Sequence, residues 1–180
     1  YVDTRACDKY HIFHIIIILP FLAVILLWNL FPDKVAVHWN VEGEIDNTAP
    51  KEFALFFVPV INIVLYFLFL ILPRLDIHRQ NYDIFKNSFN IMRLSFALFF
   101  TFISFIILLN GLGYDINTTF IVLYLTIFLF IVIGTVLPDI KRNQFIGIRT
   151  PWTLGDETIW DKTHQFSGKI WVYSSIPMIF

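Results

Sequence analysis

Four long apolar runs dominate the pattern of hydrophobic and polar positions along the chain. Their interiors contain no Asp, Glu, Lys or Arg. A helix needs about 20 apolar residues to cross the hydrocarbon core of a bilayer, where its backbone groups must bond to one another. The pattern therefore predicts four membrane-spanning helices, at Ile12 to Phe31, Phe53 to Leu72, Leu94 to Leu112 and Thr119 to Leu137.

Prolines and a polar tripeptide indicate where these helices bend, begin and end. Pro20 and Pro59 lie inside the first two runs, where the missing N–H predicts a kink. Pro73 and Pro138 follow the second and fourth runs and are predicted stops. The side chains of Asn117-Thr118-Thr119 can cap the fourth helix.

A shorter apolar run, from Ile170 to Phe180, closes the chain. Its 11 residues would cover only about half of the bilayer core as a helix. We therefore expect the start of a fifth span and a truncated C-terminus.

Basic residues are unevenly shared between alternating loops. If the N-terminus is inside, 11 Lys and Arg lie on the inner side and 2 on the outer side. The positive-inside rule then predicts a cytoplasmic N-terminus, an outer loop at residues 32–52 and a cytoplasmic segment at residues 138–169.

Composition supports a membrane protein, because only 15% of the residues are charged and a soluble domain has about 25%. The net charge of −1 argues against a nucleic-acid partner. Short loops favour one compact bundle. The predicted fold class is therefore all-α: a polytopic helical bundle forming a single integral membrane domain over residues 1–180, with an N-terminal module at 1–75 and a second region at 76–180.

The outer loop carries the first candidate site. Val35, Val37 and Trp39 alternate with other residues, which is a weak strand signal, and turns are expected around Gly43 and Pro50. A metal site could be imagined from four residues, but their spacing matches no known metal site, and we favour a docking surface or a structural turn. The four residues are His38, Glu42, Glu44 and Asp46.

The predicted cytoplasmic segment after the fourth apolar run carries the second candidate site. Lys141-Arg142 at the membrane edge is typical of a basic anchor to anionic lipid headgroups. Gly147 allows a turn or a close approach of the backbone. Thr150-Pro151-Trp152 is predicted to form a turn, and Gly155-Asp156 to open a helix, with Gly155 as its cap and with Asp156 and Glu157 favourable at its positive end.

On that helix, Trp160 and His164 are four residues apart and share a face. The helix is amphipathic, and it could lie on the membrane or pack under the bundle. No catalytic motif or phosphate loop converges on the segment, and the spans lack the ionisable groups of a proton relay. We therefore expect a binding protein with no cofactor and no metal, rather than an enzyme or transporter.

Long stretches resemble a known family, the SdpI-like bacterial immunity proteins. The outer loop "FPDKVAVHWNVEGEIDNTAPK" is similar to a domain of unknown function at the start of many members, and "KRNQFIGIRTPWTLGDETIWDKTH" is similar to the family signature. The resemblance implies a multi-pass protein of the bacterial cytoplasmic membrane. It also marks candidate partner-binding or motif residues: His38, Asn40, Gly43, Asp46, Lys51, Lys141, Asn143, Gly147, Arg149, Thr150, Pro151, Trp152, Trp160, Thr163 and His164.

The best-described member of that family confers immunity to a secreted peptide toxin and holds a cytoplasmic repressor at the membrane. The resemblance therefore implies a toxin partner outside and a repressor partner inside. The alternative is a structural or orphan member, in which the signature locks the inner segment and Arg149 pairs with helix-end carbonyls, Asp139 or Asp156.

Overall fold

The computed structural model describes the backbone of residues 4–179 and the side chains of residues 12–178. Helices make up most of the described chain, with one two-stranded sheet. The elements are α1 Thr4–Leu27, β1 Lys34–Trp39, β2 Ile45–Pro50, α2 Lys51–Leu75, α3 Asn81–Ile84, α4 Lys86–Gly111, α5 Thr118–Val136, α6 Pro151–Gly155 and α7 Glu157–Ser175. Three short 3₁₀ helices accompany them at Trp28–Leu30, Leu137–Asp139 and Ile176–Ile179.

The four predicted spans are confirmed. Four stretches of the described chain are helical, long and apolar enough to cross a membrane: Ile12–Leu30, Lys51–Leu75, Lys86–Gly111 and Thr118–Asp139. The chain is therefore a multi-pass membrane protein. The predicted start of a fifth span stays a prediction, and its last residue, Phe180, lies outside the described residues.

Helix ends agree with the predicted signals at two of three positions. Asn117 caps α5 by accepting the Phe120 N–H at 3.1 Å, and α5 ends just before Pro138. The prediction that Pro73 stops the second helix is wrong, because α2 continues to Leu75. The chain leaves the helix at Asp76, whose carboxylate accepts the backbone N–H of His78 at 2.8 Å and so forms a local turn.

Residues 4–65 and 96–123 form one compact unit, which we call the hairpin unit. Its sheet is an antiparallel β1–β2 hairpin with an irregular register between Ala36 and Trp39. The weak strand signal is confirmed, so the all-α class holds with this small addition. One face of β1 packs into an apolar core made of Val24, Phe31, Val35, Ala54, Leu55, Ile107 and Leu108.

Buried polar bonds connect three helices of the hairpin unit. The Asn62 amide of α2 donates to the Ala97 carbonyl at 3.0 Å and to the Thr101 hydroxyl at 3.1 Å. Thr101 in turn donates to the Ile16 carbonyl of α1 at 3.0 Å. Because polar groups in an apolar setting are costly unless paired, these bonds fix the register of the helices.

Residues 66–95 and 124–179 form the second compact unit, which we call the signature unit. Here α5 and α7 approach closely through glycines. A Cβ atom on Gly168 would lie 2.6 Å from the Gly134 carbonyl oxygen and 2.9 Å from Pro138, so no larger residue fits without movement. This contact packs α7 against the end of α5 and positions the signature, residues 141–164, beside it.

Candidate functional site

Two of the predicted outer-loop residues build the turn of the hairpin. The Asn40 side chain accepts the Glu44 N–H at 2.8 Å, and the Asn40 carbonyl accepts the Gly43 N–H at 3.0 Å. Gly43 has a φ of 86°, a left-handed conformation that favours glycine. Thr119 of α5 donates to the Asn40 carbonyl at 3.0 Å, which holds the turn over the end of that helix.

The other outer-loop candidates lie apart from the turn. His38 and Asp46 face each other across the strands, with Nδ1 and Oδ1 2.6 Å apart, and both are exposed. Lys51 lies at the junction of β2 and α2, where its ammonium is 4.9 Å from the centre of the Trp28 ring and 4.0 Å from an Asp33 oxygen. The five candidates therefore form a turn, an exposed pair and a helix start.

A cavity of about 340 Å³ lies between the hairpin and the helix ends of the same unit. Its lining is mostly branched apolar side chains with a few polar groups. The lining residues are Val37, His38, Trp39, Val58, Ile103, Ile106, Ile107, Thr118, Thr119 and Val122. Sequence reasoning missed this cavity, because its walls come from four separate elements.

Metal chemistry has no matching arrangement in the described part of the chain, where no three His, Cys, Asp or Glu side chains come together as possible ligands. In the outer loop, His38 is held by Asp46, and Glu44 accepts from Asn40 at 3.4 Å. Asp46 and Glu44 thus contact residues of their own loop.

In the signature unit, Asn143 acts as an internal template for the loop. Its side chain is fully buried. The amide nitrogen donates to the carbonyls of Lys141 and Ile146 at 2.9 Å, and the oxygen accepts the N–H groups of Phe145 and Ile146 at 2.9 and 2.6 Å. One side chain thus satisfies four backbone groups that no regular secondary structure pairs.

Gly147, Trp160 and His164 form one packed contact. Trp160 and His164 are fully buried and stacked, with ring centres 4.1 Å apart, which confirms that they share a face. The His164 Nδ1 bonds to the Trp160 carbonyl at 2.8 Å, and its Nε2 accepts the Ile148 N–H at 2.9 Å. Gly147 has a φ of 111°, and a Cβ there would collide with His164 Nε2.

These bonds require a neutral imidazole, with the proton on Nδ1 and a free lone pair on Nε2. Burial, the main cause, lowers the pKa of His164 below its ordinary value of 6.5, and the bond to Trp160 and the charge of Asp161 only partly oppose this. The ring therefore stays neutral near neutral pH. In this unit His164 has a packing role in holding the loop, because both ring nitrogens are engaged by backbone groups.

Two local predictions in the signature are wrong. Thr150-Pro151-Trp152 is not a simple turn: Thr150 is the N-cap of α6, and it exchanges bonds with Thr153 in a capping box, while Pro151 occupies the first turn. Gly155 is not the cap of the next helix. Asp156 caps α7 by accepting the N–H groups of Thr158 and Ile159 at 2.7 and 3.0 Å. A charged acceptor at the positive helix end is more favourable there than glycine.

The basic pair at the start of the signature is held by acidic side chains of α7. Lys141 forms an ion pair with Asp161 at 3.1 Å, and Arg142 forms one with Glu157 at 3.1 Å. These contacts fix the loop on the helix. Each of the two cations therefore has an acidic partner within the protein, in addition to the predicted contact with lipid headgroups.

Two residues between α2 and α4 that sequence reasoning missed, Asp76 and Asn81, attach that segment to the signature, and Ser88 at the start of α4 bonds to Asp139 just before it. Asp76 is buried and accepts the Tyr82 hydroxyl at 3.0 Å and the Gln144 N–H at 2.8 Å. Asn81 donates to the Arg142 carbonyl at 2.7 Å. Ser88 donates to Asp139 at 2.6 Å. Burial and the Asp76 carboxylate raise the pKa of Tyr82, so this hydroxyl remains a donor.

Arg149 and Trp152 are two of the exposed residues of the signature. Trp152 is 66% exposed, and Arg149 is exposed with its guanidinium donating to the Phe145 carbonyl at 3.4 Å. The predicted acidic partners of Arg149 are engaged elsewhere, because Asp139 accepts from Ser88 and Asp156 caps α7. Thr163, also a candidate, is half-buried on α7.

The two structured regions coincide with two matches to known families. Residues 15–63 match a family described as "Domain of unknown function (DUF1648)", and residues 139–180 match the "SdpI/YfhL protein family". Immunity protein SdpI of Bacillus subtilis (strain 168) is 32% identical over 159 residues, which cover 88% of this chain and 73% of the relative. The chain belongs to the SdpI family. No solved structure matches it.

Membership of the SdpI family makes this a membrane protein of the immunity class. The hairpin lies within the first matched region and the signature within the second. The two matched regions therefore contain the hairpin and the signature, two structured polar segments that follow apolar helices.

Proposed function

We propose that the protein protects a bacterium from a secreted antimicrobial peptide and that it can hold a cytoplasmic repressor at the membrane. It acts by binding, not by catalysis. The similarity to an immunity protein over 88% of the chain carries this proposal. The protein's place is the bacterial cytoplasmic membrane, with the hairpin outside and the signature inside, as the excess of basic residues near the signature favours.

The hairpin suits the reception of an extracellular peptide. Its turn is fixed by Asn40 and Gly43, so the loop is ordered before any ligand arrives. Preorganised loops lose less conformational freedom on binding. His38 and Asp46 add an exposed polar pair beside it.

The signature suits partner binding at its outward residues. Asn143, Gly147 and His164 are occupied in shaping the loop. Arg149 and Trp152 are exposed, and these residue types are enriched where proteins bind partners. We assign the repressor contact to this pair.

A purely structural signature is the second candidate, and the buried bonds of Asn143 and His164 favour it. In that case, replacing the exposed residues would have little effect on either protection or signalling. The orphan alternative, in which no toxin partner exists, predicts no protection at all.

Survival of a toxin-sensitive bacterium tests the proposal. Cells expressing the full chain are challenged with peptide toxins concentrated from the culture medium of the source strain, and colony counts are compared with cells carrying an empty vector. Protection is expected. An equal loss of cells in both cultures refutes the immunity proposal.

The inner role is tested by Arg149→Ala combined with Trp152→Ala. A fluorescent fusion of a candidate repressor, encoded beside this gene, is expected at the membrane with the wild type and in the cytoplasm with the variant. Lys162→Ala, exposed on α7 outside the pair, is the matched control. Recruitment that survives the double substitution at equal protein level favours the structural candidate.

The orientation is tested with single cysteines at Val41 in the hairpin turn and at Lys162 on α7, in a Cys7→Ser background. A maleimide that cannot cross membranes is expected to label the first site in intact cells and the second only after lysis. The opposite labelling contradicts the proposed orientation.

A further inference from the structure

The cavity of the hairpin unit has the size and lining of a ligand site. Its volume of about 340 Å³ lies in the range of roughly 300–1,000 Å³ that is usual for small-molecule pockets. Seven of its ten lining residues are apolar, and they come from β1, α2, α4 and α5. A group that enters this space would be surrounded by branched aliphatic side chains and by Trp39.

The polar groups of the lining are already bonded within the protein. Thr118 accepts from the Asn110 amide at 2.7 Å, and Thr119 donates to the Asn40 carbonyl at 3.0 Å. His38 is held through Nδ1 by Asp46 at 2.6 Å. Because these bonds already use donors and acceptors of the lining, the cavity favours an apolar group, which needs no hydrogen-bond partner.

The loops at the hairpin end of this unit are acidic. Residues 31–52 and 112–117, which connect the helices of this unit at the hairpin end, carry six carboxylates and two lysines, a net charge of −4. One of the lysines, Lys51, lies over the Trp28 ring and beside Asp33. The carboxylates are Asp33, Glu42, Glu44, Asp46, Glu52 and Asp115. Such a surface attracts cations and repels anions.

An apolar cavity beside a surface of negative charge fits one class of ligand. An acyl chain would fit the cavity, but the headgroup of an anionic lipid would be repelled by the carboxylates. A cationic amphipathic peptide satisfies both features at once. We propose that the cavity binds one large apolar side chain of a cationic peptide, whose positive charges lie over the hairpin carboxylates. This inference rests on the proposed function, because it makes the cavity the toxin-binding site.

The test uses the full chain in nanodiscs of phosphatidylcholine, a lipid without net charge. The probe is a fluorescent amphipathic peptide of leucine and lysine, and its counterpart carries glutamate in place of lysine. Anisotropy is measured against empty nanodiscs. The lysine peptide is expected to bind above the lipid background and to weaken with salt, whereas the glutamate peptide is expected not to bind. Equal binding of the two peptides, or none of either, overturns the proposal.

Val58→Phe fills the cavity, and Val60→Phe is its matched control on the exposed side of the same helix. Loss of an anchoring side chain typically weakens binding by about tenfold or more, so Val58→Phe is expected to reduce affinity by at least ~10-fold. Val60→Phe is expected to leave it within about twofold, as for surface substitutions. Equal affinities of the two variants overturn the proposal.

Folding is controlled by a second pair on α5, Val122→Phe in the lining and Ile121→Phe outside it. If Val58→Phe lowers the melting temperature, the comparison of Val122→Phe with Ile121→Phe decides whether filling the cavity weakens peptide binding. Native mass spectrometry follows bound phospholipid in parallel. A cavity-filling variant that loses lipid but keeps its peptide affinity shows a lipid site and overturns the proposal.

Failure of this inference can be separated from failure of the proposed function. If the wild type protects cells and Val58→Phe protects them as well as Val60→Phe, the cavity is not the toxin site while immunity stands. If the wild type binds the lysine peptide through the cavity but protects no cells, the peptide site stands and the immunity proposal fails.

Discussion

Substituting Gly147 by alanine should strongly destabilise the signature unit. Its φ of 111° is a conformation that residues with a Cβ rarely adopt, at a cost of about 1–3 kcal/mol. The added Cβ would also collide with His164 Nε2 and lie 3.2 Å from Trp160. If His164 moves, the Ile148 N–H loses its buried acceptor, which costs a further ~1–3 kcal/mol. The expected loss is therefore about 2–6 kcal/mol.

Thermal unfolding in detergent, followed by tryptophan fluorescence, measures this effect. For a chain of this size, about 1 kcal/mol shifts the melting temperature by roughly 2–4 °C, so a decrease of about 10 °C is expected. Gly155→Ala is the matched control, because a Cβ there meets nothing within 4 Å, and alanine is the better helix former. A Gly147→Ala protein that melts with the control would refute the role given to His164.

Two further predictions concern the same unit. In the wild type the Asp76 carboxylate accepts hydrogen bonds from three donor groups, and in Asp76→Asn the amide must turn its own donor towards one of them. The melting temperature is therefore expected to fall by several degrees, whereas the exposed control Asp83→Asn should leave it unchanged. Equal melting temperatures of the two variants would contradict the buried role of the carboxylate. Because the pKa of His164 is lower in the folded protein than its ordinary 6.5, the unfolded chain binds more protons as the pH falls below 6.5, and stability should decrease there. In melting experiments at several pH values, His164→Gln should remove the fall of the melting temperature below pH 6.5, and the control His78→Gln should keep it. If the fall persists in His164→Gln, it belongs to another group.

The membrane-spanning helices were predictable from sequence, because length and apolarity alone decide whether a helix can cross a bilayer. The hairpin was only weakly indicated. Its register is irregular between Ala36 and Trp39, and the alternation of buried and exposed residues breaks at Ala36, which is buried directly after Val35. What stabilises it is the fixed turn and the packing of one face into the core.

The contacts that attach the signature to the segment between α2 and α4 were not predictable, because they join residues far apart in the chain. Asp76 bonds to Gln144, which is 68 residues away, and no local pattern marks either as a partner of the other. The cap of α7 was misassigned for a different reason. Gly155 and Asp156 are both acceptable caps, and the choice depends on where α6 ends.

The signature contains buried residues that shape its loop and exposed residues that are available to a partner. Asn143 and His164 satisfy backbone groups, so their substitution would disturb the surface that carries Arg149 and Trp152 even if they never contact a partner. The same holds for Asp76, because its carboxylate accepts the Gln144 N–H and so fixes the backbone five residues before Arg149. Loss of function at the buried positions therefore cannot distinguish a binding role from a structural one. Substitution of Arg149 and Trp152 can distinguish the two roles, because neither side chain makes a buried hydrogen bond within the loop.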